Sequence, residues 1–209
     1  MFRILIIDDH EIVRSGIKAM FSEPAGVAMF GEASEAREAL DRIREANWDV
    51  AVLDISLGDR SGLDLLRDIK QFRPKLPVLI LSMHAEEHYA IRSLKAGAAG
   101  YITKGSPREE LRSAILTVIK GGHYVTPSIT EKMVVNLSAK EGPRHASLSD
   151  REFEVMCHIA SGKTVGEIAV LMGLSDKTVS TYRRRILDKM GMTTNAELTH
   201  YAIREKIVD

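Results

Sequence analysis

The chain has 209 residues, enough for one large domain or two small ones, and its 29 Lys plus Arg balance its 29 Asp plus Glu. Net charge therefore names no partner, and charge has to be read locally. One cysteine, Cys157, excludes an intrachain disulfide and fits a reducing cytoplasm; no apolar run approaches the roughly 18 residues of a membrane span, and MFRILIIDDH is a poor signal peptide. The expectation is a soluble cytoplasmic protein with no membrane partner.

From the start, short apolar runs alternate with amphipathic stretches. Arg3–Ile7 reads as a buried strand, Val27–Ala33 as a weaker one, Val50–Ile55 and Pro77–Ser82 as strong ones, and Gly100–Lys104 as a short fifth. Helical patterns fill the gaps at Glu11–Phe21, Ser34–Ala46, Leu63–Phe72, Glu86–Ala96 and Pro107–Lys120. The last has Ser106 placed to cap, Pro107 at the first helical position and Glu109 to complete a capping box. This alternation predicts an α/β fold: a flavodoxin-like, doubly wound, five-stranded parallel sheet of order 2-1-3-4-5 over residues 1–122.

The pattern breaks after Gly121–Gly122. Residues 123–147 contain one short apolar helical stretch and a polar Gly-Pro segment, and read as a linker. Residues 148–209 carry no strand signal. Ser149 with Glu152, Thr164 with Glu167 and Thr194 with Glu197 have capping-box spacing, and Ser175 can cap a further helix. They predict a second, small, all-α domain.

In a doubly wound sheet, ligands bind beyond the carboxyl ends of the strands, where the strand order reverses. Asp8 and Asp9 follow strand 1, Asp54 lies near the end of strand 3, Ser82 ends strand 4 and Lys104 ends strand 5. Clustered carboxylates repel one another unless a cation joins them, and an all-oxygen site suits Mg²⁺. A carboxylate nucleophile beside Mg²⁺, with an ammonium and a hydroxyl opposite, is equipped for phosphoryl transfer. The blocks IIDDH, VLDISLGDRSG, LILSMH and GYITKGS resemble those of response-regulator receiver domains. The resemblance implies that a sensor histidine kinase phosphorylates Asp54. It also implies that Asp8, Asp9, Asp54 and the Ser56 backbone carbonyl hold Mg²⁺, that Lys104 contacts the phosphoryl group, and that Ser82 and Tyr101 move inward as the switch. Gly58 and Gly105 depart from the usual blocks without replacing a chemical group. His10 and His84 flank the pocket.

Residues 164–190, TVGEIAVLMGLSDKTVSTYRRRILDKM, read as a helix, a turn at Gly173 and a second helix. Val179, Tyr182, Ile186 and Met190 form the second helix's inward stripe, and Lys177, Ser180, Thr181, Arg184 and Asp188 fall opposite, with Arg185 at the flank. Five basic and two acidic residues between Ser175 and Gly191 make this segment locally positive, as expected for a helix entering the major groove of double-stranded DNA. The segment from Leu148 resembles the LuxR-type domain of NarL/FixJ-family regulators. The resemblance implies base contacts from Ser180, Thr181 and Arg184, and phosphate contacts from Lys177, Arg185 and Lys189. A homodimer of the phosphorylated protein would use the last helix, through an apolar patch of Leu198, Tyr201 and Ala202. The chain is thus expected to be a transcriptional regulator and not an enzyme, although it can lose its own phosphoryl group to water. A Mg²⁺-dependent phosphatase would need a dedicated acid/base, and Ser56 stands two residues after Asp54, where an acid would serve. A helical domain that binds a protein partner is the other alternative, which the basic second helix opposes.

Overall fold

The computed structural model of the protein describes residues 1–21, 28–57, 60–83, 86–126, 129–131 and 143–208, with backbone alone at 86–88. Two compact units divide the chain, Met1–Glu131 and Lys132–Asp209.

In the first unit, β1 (Phe2–Ile7), β2 (Ala28–Ala33), β3 (Val50–Asp54), β4 (Val78–Ser82) and β5 (Gly100–Thr103) alternate with α1 (Glu11–Met20), α2 (Ala36–Glu45), α3 (Gly62–Phe72), α4 (Glu86–Lys95) and α5 (Arg108–Ile119). The sheet is parallel, in the order β2-β1-β3-β4-β5, as expected. Every residue of β3 and β4 is buried, which explains their unbroken apolar runs. Ile4 and Ile6 of β1 join Ile17 of α1 and Leu111, Ala114, Ile115 and Val118 of α5 in one core; side-chain alternation turns Leu5 and Ile7 to the other face.

Three details differ from the sequence reading. Helix α5 begins at Arg108, because Pro107 is extended (ψ 145°) and makes no side-chain cap. The expected Ser106–Glu109 box does not form: the Pro107 carbonyl accepts the N–H groups of Glu110 and Leu111, and the Ser106 hydroxyl pairs with that of Thr103 at 3.1 Å. Ser56–Leu57 and Arg60–Ser61 form a short antiparallel ladder before α3. The first unit also continues beyond residue 122. The Tyr124 carbonyl accepts the Tyr101 N–H at 3.1 Å, and the Tyr124 hydroxyl donates to Glu110 at 2.7 Å. Most of the remaining expected linker lies outside the described residues.

The second unit holds a 3-10 turn (Arg144–Ser147), then α6 (Asp150–Ala160), α7 (Val165–Leu171), α8 (Asp176–Met190) and α9 (Asn195–Arg204). All three later capping boxes form, at Ser149, Thr164 and Thr194, and the Ser175 hydroxyl accepts the Thr178 N–H. These bonds satisfy amide donors that a helix start leaves unpaired. Ser149→Ala is expected to cost about 1 kcal/mol, read as a lower urea midpoint for the second unit; no change would mean that water replaces the cap at no cost. Leu198, Tyr201 and Ala202 are buried in this unit, none more than 5% exposed. They are α9's packing stripe, lying where α9 meets α6, and the Tyr201 hydroxyl meets His145 Nδ1 at 2.9 Å. The expected dimer patch is corrected accordingly: side chains already covered by their own domain offer no surface to a second copy. Cys157 is buried, as its apolar neighbours imply. No described helix is long and apolar enough to cross a membrane.

Candidate functional site

Strand register assembles the acidic pocket. Ile7 pairs with Leu53, so Asp8 falls beside Asp54. Asp54 pairs with Leu81, and Ser82 follows. Ser82 pairs with Thr103, and Lys104 follows, its N–H donating to the Ser82 carbonyl at 2.8 Å. Side chains that lie 50 residues apart in the chain thus converge at one edge of the sheet.

Asp8 and Asp54 are each only 1% exposed. The Lys104 ammonium lies between them, 2.7 Å from Asp54 Oδ2 and 2.8 Å from Asp8 Oδ2. The Ser56 N–H donates to Asp54 Oδ1 at 3.1 Å, so Ser56 reaches the Asp54 carboxylate by its amide. The Arg14 guanidinium donates to the Asp8 carbonyl at 2.7 Å. His10 Nδ1 lies 2.6 Å from Asp9 and 3.2 Å from Asp8. Ser82 and Tyr101 are fully buried, so Tyr101 already occupies an inward position. His84 and Gly58 lie outside the described residues.

Burial pushes the Asp54 carboxyl above its usual range; neighbouring Asp8 adds to this, while Lys104 and the Ser56 amide oppose it. For Lys104, burial disfavours the ammonium, but hydrogen bonds and attraction from both carboxylates outweigh it and raise its pKa. The pocket therefore holds more negative charge than one lysine compensates.

A divalent cation fits this deficit. Oxygens of Asp8, Asp9 and Asp54 and a ring nitrogen of His10 lie within 4.8 Å of one another. Among the described residues, the buried Asp8 Oδ2 is met by the Lys104 ammonium at 2.8 Å and by no other donor, so it keeps lone-pair capacity. Such an oxygen is available to a metal.

Gly62 is a requirement that sequence reasoning missed. A Cβ there would lie 2.4 Å from the Asp54 carbonyl oxygen, and the Gly62 N–H donates to the Ile55 carbonyl at 2.8 Å. Only glycine lets the start of α3 close on the end of β3 in this way. The signal was present as the Gly in DRSGLDLL, but its close approach is tertiary.

In the second unit, α7 ends at a turn where Gly173 has φ 62°, and α8 follows. Val179, Ile186 and Met190 are buried and Tyr182 half-buried, as phased, with Leu187 also buried. Lys177, Ser180, Thr181, Arg184 and Arg185 are exposed on one helix. Arg183 is turned elsewhere, its Nε donating to Asn195 Oδ1 at 2.6 Å. The Lys189 ammonium lies 2.6 Å from Glu152, whose carboxyl stays below its usual range: burial would raise it, but Lys189 and Ser149 outweigh burial. Lys189 thus ties α8 to α6 in addition to any contact it makes outside.

Residues 4–116 match the response regulator receiver domain, and residues 146–202 match the luxR family of bacterial regulatory proteins. The chain is 36% identical over 206 residues to the response regulator UvrY of Escherichia coli K12, covering 98% of this chain and 94% of UvrY. It is 34% identical over 213 residues to the response regulator GacA of Pseudomonas aeruginosa PAO1, covering 100% of this chain and 99% of GacA. RcsB of Salmonella enterica serovar Typhimurium, solved bound to promoter P1flhDC in the presence of the phosphomimetic BeF3-, aligns over 96% of this chain and 97% of RcsB, with a TM-score of 0.64 and 26% identity. The chain belongs to the NarL/FixJ family of two-component response regulators, transcription regulators that join a receiver domain to a LuxR-type DNA-binding domain.

Proposed function

We propose that Asp54 is the phosphoacceptor and that a sensor histidine kinase is the donor. An Asp54 carboxylate oxygen bonds to phosphorus as the bond from phosphorus to the kinase's histidine nitrogen breaks, giving an acyl phosphate. The observation that carries this reading is the Lys104 ammonium held 2.7 Å from Asp54 and 2.8 Å from Asp8 within a buried acidic pocket. Lys104 is placed to neutralise phosphoryl oxygens. Asp8, Asp9 and Asp54 would hold Mg²⁺, with the Ser56 carbonyl completing the protein's donors. When bound, Mg²⁺ neutralises charge that builds on the phosphoryl oxygens. The Ser82 hydroxyl and Tyr101, behind it in the core, form the switch that senses the new group.

In the same reading, Ser180, Thr181 and Arg184 contact base edges and Lys177 and Arg185 contact phosphates. Lys189 reaches phosphate only while shared with Glu152. Phosphorylation shifts the population toward a dimer that binds promoter DNA in the cytoplasm, a reading supported by the RcsB promoter complex. The protein accepts one phosphoryl group and returns it to water, without a separate substrate to turn over.

The test is selection of genomic DNA fragments by the purified protein, with and without Mg²⁺ and beryllofluoride. Enrichment of defined promoters only with the phosphoryl mimic is the expected result. Equal enrichment in both states would remove the gating, and no enrichment in either would overturn the DNA assignment.

A further inference from the structure

The end of the sheet opposite Asp54 carries a second concavity. It lies where α2 and α3 end and where β3 and β4 begin, with a volume of about 520 Å³, within the usual range of small-molecule sites. Ile43 and Leu76 form its apolar floor, Trp48 and Phe72 its aromatic walls, and Arg73 and Lys75 its charged rim. No carboxylate lines it among the described residues.

These walls are held in place before any ligand arrives. The Trp48 indole packs directly on Gly31, where a Cβ would meet it at 2.2 Å, and its N–H donates to the Arg42 carbonyl at 2.9 Å. The Arg73–Leu76 segment is pinned by the Lys70 ammonium on the Leu76 carbonyl at 2.7 Å and by the Leu76 N–H on the Arg73 carbonyl at 3.0 Å. The guanidinium groups of Arg44 and Arg73 lie 5.7 and 5.4 Å from the centre of the Phe72 ring, which is 51% exposed. Two nearby acids are engaged elsewhere: Asp41 pairs with Arg44 at 2.9 Å, and Asp49 accepts the Arg3 N–H at 2.7 Å.

We propose that this cleft is a binding site for a small aromatic anion of the aromatic carboxylate class. The ring system enters between Trp48 and Phe72, and the carboxylate faces Arg73 and Lys75. A preformed apolar cleft contributes most of the affinity, and the two cations select the anion over its neutral analogue.

Trp48 is the chain's only tryptophan, so its indole N–H gives a single tryptophan signal in a ¹⁵N–¹H correlation spectrum. The full-length protein is titrated with 2-naphthoate and with neutral 2-naphthylmethanol. Saturable movement of the indole signal by 2-naphthoate is expected, with the alcohol binding roughly tenfold more weakly because two exposed cations each contribute modestly. The double variant Arg73→Ala/Lys75→Ala should remove that preference and leave alcohol binding unchanged. Phe72→Ala should weaken both probes, and because the ring is half exposed the rest of the spectrum reports an intact fold. Absence of a saturable shift in the wild type would overturn the proposal. So would equal affinity for the two probes together with no effect of the double variant, which would leave only a nonselective apolar surface.

Discussion

Asp54→Asn is expected to abolish phosphoryl uptake and, in the absence of divalent cations, to raise the thermal midpoint of the protein. The first effect follows from chemistry, since the amide is a poor nucleophile and incorporation from acetyl phosphate should fall to background. The second follows from burial. The Asp54 carboxyl is pushed above its ordinary 3.8 chiefly by desolvation, with Asp8 adding to it and Lys104 opposing. Between 3.8 and that raised value the folded state holds more protons than the unfolded chain. Stability therefore falls as pH rises through this window, and above it the ionised carboxylate imposes its full cost. Asparagine keeps the shape without the charge, so its advantage should be present at neutral pH and vanish below pH 3.8. Adding Mg²⁺ should favour the wild type by mass action, more than it favours the variant. Scanning calorimetry in chelator and in Mg²⁺ checks both effects. A lower midpoint for Asp54→Asn in chelator would show that the Lys104 pair outweighs desolvation, and the charge-deficit account of the pocket would be wrong. The pocket fits a wider pattern in which functional sites retain groups that destabilise the fold.

Arg184→Ala is expected to weaken binding to a selected promoter by about 1–3 kcal/mol, roughly ten- to hundredfold, with little effect on random DNA. The side chain is 86% exposed and its nearest acidic partner, Asp188, lies 4.0 Å away, so truncation should leave the unfolding midpoint unchanged. Arg185→Ala should instead weaken all sequences alike and reduce the salt slope by about 1. Fluorescence anisotropy on promoter and scrambled duplexes across a salt series separates these outcomes. Equal losses on both duplexes for Arg184→Ala would make Arg184 a phosphate contact rather than a base reader. Arg183, one residue away, provides an internal contrast. Its bond to Asn195 links α8 to α9, so Arg183→Ala should act through the fold of the second unit.

Much of this was legible from local pattern. The apolar runs of β3 and β4, the capping boxes at Ser149, Thr164 and Thr194, and the phase of α8 depend on residues within a few positions of one another, and short-range physics decides them. The acidic pocket was legible for a related reason. In a parallel sheet the strand ends align, so acids, a hydroxyl and a lysine at successive ends meet whatever the details of packing. What remained depended on distant partners. Leu198, Tyr201 and Ala202 form an apolar stripe in either reading, and only their packing near α6 and His145 decides that it is core rather than interface. Lys189 reads as a free cation until Glu152, 37 residues earlier, is brought to it. Gly62 is one glycine in a loop until the backbone of Asp54 closes on it. The sequence by itself determined the elements and the chemistry carried to the sheet edge. The tertiary structure alone decided which apolar faces are covered and which charges are already paired, because burial and ion pairing are properties of neighbours in space, and neighbours in space are not neighbours in the chain.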